Sequence, residues 1–189
     1  MEKQQLTQEN FENAAEELNV ELAAIKAVSE VESRDSGFLE TGEPKILFEA
    51  TWFHRLTGGA YDNSHPSISS PTWDRSLYEG GQEEHERLQK AVELDREAAL
   101  KSASWGKFQI MGFHWSTCGY ENLQDFINAM YESEEAHLEA FVGFIKNENL
   151  AEPLRDNRWS DFARRYNGPS FRQNNYAKRM REKYEQYQA

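Results

Sequence analysis

Two glutamates near the end of a helix-like run have the clearest potential for chemistry in this sequence. Glu30 and Glu32 lie in the stretch "AVSEVESRDSGF" at residues 27–38. On a helical wheel of about 100° per residue, Glu32 falls between Ile25 and Val28 on the apolar side, and Glu30 falls outside it. We therefore predict that Glu30 is a solvated charge and that Glu32 faces the core in the last turn of its helix.

The predicted position of Glu32 favours its protonated form. Burial raises the pKa of a carboxyl group, and the negative end of a helix dipole acts in the same direction. A carboxylic acid that stays protonated near neutral pH can donate its proton to the leaving oxygen of a glycosidic bond. The alternative is a structural ion pair between Glu32 and a nearby arginine such as Arg34. The wheel leaves both readings open.

The elements that must position these glutamates are mainly helices. Apolar periodicity and cap residues predict helices over residues 7–18, 20–33, 82–103, 122–150, 159–168 and 174–187. Thr7 is the predicted N-cap of the first helix, and the helical stretch 122–150 is predicted to break into two helices near Ser133. Residues 45–49, "KILFE", read as a short strand that leads into a helix. Residues 57–81 form a long run of turn chemistry, typical of a functional or mobile loop. The fold class is therefore mainly α with a small strand element.

Composition predicts one folded domain over residues 1–189. The hydrophobic share of 38% excludes a disordered chain, and some of the 13% aromatic residues are expected either to line a groove or to fill the core. The net charge of −12 argues against nucleic acid as a partner. From Arg155 onward nine basic residues outnumber four acidic ones, leaving +5 there and −17 elsewhere. This segment either steers an anionic polymer or pairs with the acidic body.

The sequence also bears on compartment. Cys118 is the single cysteine, which suits synthesis in a reducing cytosol. The N-terminus lacks the apolar core of a signal peptide, and the longest apolar run, residues 140–145, is too short to span a bilayer. We expect a monomer without stable membrane association.

Four stretches, in order, resemble the N-acetylmuramidase domain of phage endolysins and, more distantly, the goose-type lysozyme and lytic transglycosylase superfamily. They are "AVSEVESRDSGFL", "PKILFEATWFHRLT", "ASWGKFQIMGF" and "FARRYNGPSFRQNNYA", within a match from about Val20 to Lys183. The resemblance implies a lysozyme-like fold with a groove for the glycan strands of peptidoglycan. It implies no cofactor and no metal.

The resemblance also implies roles for individual residues. Glu32 is implied to be the general acid, followed by Ser33 of the Glu-Ser pair. The implied substrate-binding residues are Gln109, Ile110, Met111, Tyr166 and Asn167. The sequence departs from the patterns of related families in two ways. The Glu, Asp and Thr spacing of phage lysozymes is absent, because Thr41 and Leu47 stand at the positions of the Asp and the Thr. The usual Ala-Gly after Tyr-Asn is shortened here to Gly168.

Hydrolysis through an oxocarbenium-like transition state usually employs a second carboxylate. Our candidate is Glu49, which closes the "KILFE" segment, with Asp35 and Glu40 as weaker candidates in a loop. Glu49 has the alternative of being a surface charge at a strand end. Without a second carboxylate, the C6 hydroxyl of the sugar could attack, and the chain would be a lytic transglycosylase that leaves anhydro ends.

Alternative functions from other classes of protein explain fewer features of the sequence. A zinc amidase needs a ligand cluster, but the five histidines show neither HxxxH nor HExxH spacing. A non-catalytic cell-wall-binding module predicts binding without cleavage, and an acidic mimic of nucleic acid explains only the net charge. The sequence therefore predicts a peptidoglycan-cleaving glycosidase, made in a host cytoplasm, that reaches the wall after a separate protein permeabilises the membrane.

Overall fold

Helices make up most of the structure, a computed structural model that describes residue 3 and residues 5–32, 36–168 and 175–189. The helices are α1 (Gln8–Leu18), α2 (Leu22–Glu32), α3 (Ala50–Leu56), α4 (Gln82–Leu94), α5 (Arg96–Lys101), α6 (Leu123–Glu132), α7 (Glu134–Asn147), α8 (Ala151–Arg155), α9 (Trp159–Asn167) and α10 (Tyr176–Gln188). The strands are β1 (Ile46–Phe48), β2 (Ala103–Trp105) and β3 (Ile110–Met111). Short 3-10 helices cover Arg75–Leu77 and Gly112–His114.

The three strands form an antiparallel sheet in the order β1-β2-β3. Ile46 pairs with Trp105, which pairs with Ile110, and these three side chains are buried in the core. Side chains alternate between the two faces of a strand, so Leu47, Ser104 and Met111 share the opposite face. The expectation of a mainly helical chain with a small strand element is confirmed.

The predicted N-terminal cap and helix pair are also confirmed. Thr7 caps α1 with its side chain, and Asn19 in the left-handed conformation makes the corner before α2. The helix α2 buries Ile25 and Val28 as the wheel predicts. Its long partner is α10, which packs along it and also contacts α9. Through this packing, the C-terminal end of the chain supports the helix that ends at Glu32.

The prediction of one helix over residues 82–103 is wrong. The chain forms two helices, α4 and α5, that meet at Asp95, whose backbone is extended with φ −154° and ψ 102°. The carboxylate of Asp95 accepts a hydrogen bond of 2.9 Å from the backbone N–H of Ala98. An aspartate that caps a new helix interrupts the old one, although the apolar spacing continues across it. The predicted break near Ser133, between α6 and α7, is confirmed.

Cys118 lies in the turn before α6 with its side chain buried. Burial raises the pKa of its thiol to about 12. The carbonyl oxygen of Cys118 faces Gly143 of α7, where a built Cβ atom would lie only 2.1 Å away. The lack of a side chain at Gly143 therefore allows the turn to rest directly on the helix.

Among the described residues, no helix combines the length and the apolar character needed to cross a bilayer.

We expect Asp95→Ala to lower the free energy of unfolding by about 1 kcal/mol, since the N–H of Ala98 loses its cap. For a chain of this size the melting temperature falls by about 2 to 4 °C. Asp95→Asn keeps an acceptor oxygen at the same place and is the matched control. Equal melting temperatures for the alanine and asparagine variants contradict the capping role.

Candidate active site

Glu32 is the last residue of α2, and its side chain is half-buried. Two tyrosines share its surroundings, Tyr166 on α9 and Tyr176 at the start of α10. Burial raises the pKa of each tyrosine, and the negative charge of Glu32 raises it further. The hydroxyl of Tyr166 donates a hydrogen bond of 3.0 Å to the carbonyl of Phe108. The structure therefore brings Glu32, Tyr166 and the turn after β2 to one place.

The end of α2 is held by a cation from α10. A guanidinium nitrogen of Arg179 donates to the carbonyl of Val31 at 3.0 Å, and the guanidinium also lies 5.6 Å from the ring centre of Tyr176. The last carbonyls of a helix have no partner inside the helix, so this contact satisfies one of them. Arg179 thus fixes the residue directly before Glu32.

Glu30 differs from the solvated charge that the wheel predicts. Its carboxylate is half-buried, accepts a hydrogen bond of 2.5 Å from the hydroxyl of Tyr187, and pairs with Lys183. The wheel places Glu30 correctly off the apolar side of α2 but does not show that α10 covers this side. Glu30 therefore anchors α10 to α2.

Parts of the expected site lie outside the described residues. These are Ser33, the pairing partner Arg34, the weaker candidate Asp35, and the side chain of Asn167, which is the last residue of α9. Glu40, the other weaker candidate, is exposed in a turn.

Gln109 ends the turn between β2 and β3 with a positive φ of 49°. Its side-chain amide donates to the carbonyls of Gly106 at 2.9 Å and Lys45 at 3.3 Å, and its carbonyl accepts from the hydroxyl of Ser104 at 2.9 Å. The side chain thus braces the turn while remaining exposed. Met111 is half-buried on the sheet face that points away from the core, whereas the side chain of Ile110 is buried inside.

The segment after Glu32 is tied to α7 by a buried carboxylate. Glu134 accepts hydrogen bonds from the backbone N–H of Gly37 at 2.6 Å and of Leu6 at 3.3 Å. It also pairs with the Lys107 ammonium at 3.5 Å. Burial alone raises the pKa of Glu134, but these donors, Lys107 and the Ser36 hydroxyl outweigh burial and lower it. Glu134 is therefore held as an anion.

His137, one turn further along α7, holds the same segments. Its Nδ1 accepts from the backbone N–H of Lys107 at 3.1 Å, and its Nε2 lies 2.8 Å from the carbonyl of Met130. The first contact needs a lone pair and the second a proton, so the ring is neutral, and burial lowers its pKa accordingly. A Cβ atom at Gly37 or Gly106 would lie 2.6 or 2.8 Å from this ring. Because neither glycine has a side chain, the backbone at both positions can approach the ring of His137.

Glu49 directly follows β1 and keeps an extended backbone, so its side chain shares the sheet face of Leu47. Burial raises the pKa of Glu49, while a hydrogen bond from the Tyr78 hydroxyl and the charge of Arg87 act against that rise. The Tyr78 hydroxyl donates to Oε2 of Glu49. Glu49 is thus a half-buried carboxyl with defined partners, unlike a free surface charge at a strand end.

The segment 57–81 is fastened to the body at several points. Asp62 accepts from Ser69 at 2.5 Å and lies 2.8 Å from Nδ1 of His54 on α3. Arg87, paired in the core with Glu84 at 2.9 Å, donates to the carbonyl of Ser67 at 3.1 Å. These contacts, together with Tyr78 and Glu49, bring the far part of the segment beside the sheet.

Possible metal ligands and the cations of the basic C-terminal segment can both be located in the described part of the chain. There, no group of three or more His, Cys, Asp and Glu side chains is placed to hold a metal ion. Many cations of the basic C-terminal segment pair nearby: Arg158 with Glu152 and Asp161, and Lys183 with Glu30. This pairing with acidic neighbours was one of the two sequence-based readings of that segment.

Several residues of the site were not found by sequence reasoning. Tyr176 lies in one of the four motif stretches, so its position there was the available signal. Tyr78, Arg179 and Glu134 reach the site through contacts between distant parts of the chain. Nothing in their local sequence marks them.

Comparisons with known proteins match the chain to a protein family and to a solved structure. The sequence profile of the muramidase family, described as N-acetylmuramidase, matches residues 21–188. A solved structure, the endolysin of Burkholderia AP3 phage, is similar with a TM-score of 0.90 and 37% sequence identity. The alignment covers 97% of this chain and 70% of that one. No curated protein sequence matches the chain. The lysozyme-like fold expected from the sequence is confirmed by the likeness to this endolysin.

We expect Glu134→Gln to lower the free energy of unfolding at pH 7 by roughly 2 to 3 kcal/mol, because a charged acceptor of two buried N–H groups is lost. The pKa of Glu134 is lower in the folded chain than the ordinary 4.5. Its stabilisation is therefore complete above that value and is lost as the pH falls through the folded pKa. Urea unfolding across this range should show the two proteins converging in acid.

The matched control is Glu135→Gln, which changes the exposed neighbouring carboxylate. It should shift stability by no more than about 0.5 kcal/mol at any pH. A difference between wild type and Glu134→Gln that stays constant down to acid pH contradicts the ionised role of Glu134.

Proposed function

This chain belongs to the N-acetylmuramidase family and is a glycosidase of peptidoglycan, and we propose that it cleaves the bond between N-acetylmuramic acid and N-acetylglucosamine with Glu32 as general acid. The observation that carries the proposal is the position of Glu32. The residue ends a buried helix, is half-buried, and lies close enough to Tyr166 and Tyr176 to raise the pKa of both.

The surroundings of Glu32 suit proton donation. The carboxyl stands at the negative end of α2, beside two phenol groups that the protein keeps un-ionised. The negative end of the helix dipole opposes ionisation of Glu32, and we propose that this effect outweighs the Arg179 guanidinium at the neighbouring carbonyl of Val31. In the proposed reaction, Glu32 gives its proton to the glycosidic oxygen while the bond to the sugar carbon breaks. Arg179 keeps the end of the helix in place during this step.

Glu49 is the proposed second carboxylate. Tyr78 occupies its Oε2, and no described residue donates to its Oε1, which is therefore available to a water molecule or a sugar carbon. The nearby Arg87 charge and the Tyr78 hydrogen bond favour the ionised form that a base or nucleophile needs, and burial opposes it. Since the net shift in the pKa of Glu49 is upward, Glu49 is also the second candidate for the proton donor.

The proposed glycan groove runs over the outer face of the sheet. Met111 and the exposed Gln109 lie there, next to the turn that Tyr166 contacts. Tyr166 forms the wall toward Glu32. On the strength of the motifs alone, we also assign Ser33, Ile110 and Asn167 to substrate binding. Because the Gln109 amide braces the turn, its substitution affects the shape of the groove as well as any contact with the sugar.

The proposed biological role is that of a phage endolysin. Synthesis takes place in the host cytoplasm, and the wall is reached once another protein has permeabilised the membrane. The proposed partner is the glycan strand alone, acted on by a monomer without nucleic acid, stable membrane association, metal or cofactor. The family match supports peptidoglycan as the substrate.

We expect Glu32→Gln to lower the rate of clearing of permeabilised bacteria by at least about 100-fold, since a glutamine cannot donate the proton. The matched control is Glu30→Gln on the same helix, whose carboxylate contacts α10 instead. It should retain activity to within about twofold. Activity of Glu32→Gln near that of wild type rejects Glu32 as the acid.

The variant Glu49→Gln tests which of the two carboxylates is the acid and which is the base or nucleophile. The base or nucleophile sets the acidic limb of the pH–rate profile, and the acid sets the basic limb. We expect Glu49→Gln to lose the acidic limb, which lies higher than an ordinary carboxyl would place it because burial raises the pKa of Glu49. Loss of the basic limb instead assigns proton donation to Glu49.

The released fragments distinguish hydrolysis from the lytic transglycosylase alternative. We expect mass spectrometry to show fragments with new reducing ends, because a water molecule completes the reaction. Anhydro ends, each lighter by one water, indicate attack by the C6 hydroxyl of the sugar. Binding of glycan without any new ends indicates the non-catalytic alternative.

A further inference from the structure

Trp73 is the most exposed large hydrophobic side chain in the described part of the structure. Its exposed fraction is 64%, compared with 44% for Tyr187 and 42% for Leu56. It lies just before the 3-10 helix Arg75–Leu77, in the segment that joins α3 to α4. A single exposed aromatic side chain is ordinary on a protein surface, so the neighbours of Trp73 decide whether it can act as a binding site.

The indole of Trp73 is oriented by its neighbour Tyr78. Their ring centres are 6.0 Å apart, with 36° between the ring planes. The Tyr78 hydroxyl in turn donates a hydrogen bond to Glu49. Trp73 therefore lies directly beside a partner of Glu49, while most of its indole faces solvent.

The support beneath Trp73 is built from charged groups. Asp74 caps the following 3-10 helix by accepting from the N–H of Ser76 at 2.8 Å. The guanidinium groups of Arg75 and Arg87 lie 5.9 and 5.7 Å from the ring centre of Tyr78. Glu84, fully buried, accepts from the N–H of Glu79 at 2.9 Å and so fixes the end of the segment. The aromatic pair is thus held before any ligand arrives.

A rigid, exposed aromatic face next to a candidate carboxylate matches a polysaccharide better than a compact ligand. One face of a pyranose ring carries mostly C–H groups, and such a face stacks well on an indole. The polymer is extended, so it can contact Trp73 and the sheet face of Glu49 at the same time. Preorganisation of both contacts reduces the entropy lost on binding.

We propose that Trp73 is a stacking subsite for a sugar of the N-acetylated glycan strand, positioned by Tyr78 at the Glu49 end of the groove. The inference rests on the proposed function, because it takes the same polymer as substrate. It assigns Trp73 to binding and gives it no part in proton transfer.

The test measures binding in the Glu32→Gln background, where cleavage does not interfere. The full-length chain is titrated by calorimetry with a soluble β-1,4-linked N-acetylglucosamine oligosaccharide. Trp73→Ala should weaken Kd by about tenfold, and Trp73→Phe, which keeps an aromatic face, should recover much of this loss. Leu56→Ala removes a similarly exposed apolar side chain on α3 and should leave Kd within about twofold.

Catalysis on soluble glycan strands provides the second readout. With Glu32 restored, Trp73→Ala should raise KM about tenfold and leave kcat within about twofold, because the lost contact binds substrate and transition state alike. Tyr78→Phe should raise KM and also move the acidic limb of the pH–rate profile upward, since the hydrogen bond that lowers the pKa of Glu49 is gone.

Failure of this inference differs from failure of the proposed function. An unchanged Kd for Trp73→Ala, or no binding of the oligosaccharide by the parent, overturns the Trp73 subsite. Retained cleavage by Glu32→Gln overturns the catalytic assignment alone, and the binding comparison still decides the role of Trp73. A melting curve of Trp73→Ala that matches the parent confirms that the variant is folded.

Discussion

The geometry of the site depends on buried acceptors at the start of α7. Glu134 and His137 take up backbone N–H groups of the segment after Glu32 and of the turn between β2 and β3. The hydrogen bond from Gly37 is buried and that from Lys107 is partly buried, and a buried donor left unsatisfied costs about 1 to 3 kcal/mol. The ring of His137 lies so close to Gly37 and Gly106 that neither position has room for a side chain. One helix, α7, thereby sets the distance between the segment that follows α2 and the sheet.

The two carboxyl groups of the proposed site, Glu32 and Glu49, meet different surroundings. Glu32 stands at the end of α2 near Tyr166 and Tyr176, with the Arg179 guanidinium bound to the preceding carbonyl. Glu49 follows a strand and faces Tyr78, with Arg87 nearby. Similar side chains placed in unlike environments can take up different protonation roles, which is how a glycosidase divides acid from base.

Sequence reasoning predicted α2 and the position of Glu32 on it, but it did not predict the contacts between elements. The wheel located Glu32 because burial of α2 follows from its own periodicity, and the strand before Glu49 was recognised from β-branched and aromatic residues. The hairpin β2–β3 was not resolved, because strands of three and two residues carry too little pattern. The break at Asp95 depends on its carboxylate accepting a hydrogen bond from the backbone of α5, which the apolar pattern does not reveal. Tyr78 meets Glu49 across 29 positions of sequence, a pairing that only the folded chain defines.

The burial of the Cys118 thiol affects how the protein responds to a change in redox conditions. Peroxides and disulfides react with the thiolate form, and a thiol with a pKa of about 12 supplies almost none of it at neutral pH. The packing that buries Cys118 therefore slows both its oxidation and its exchange with disulfides.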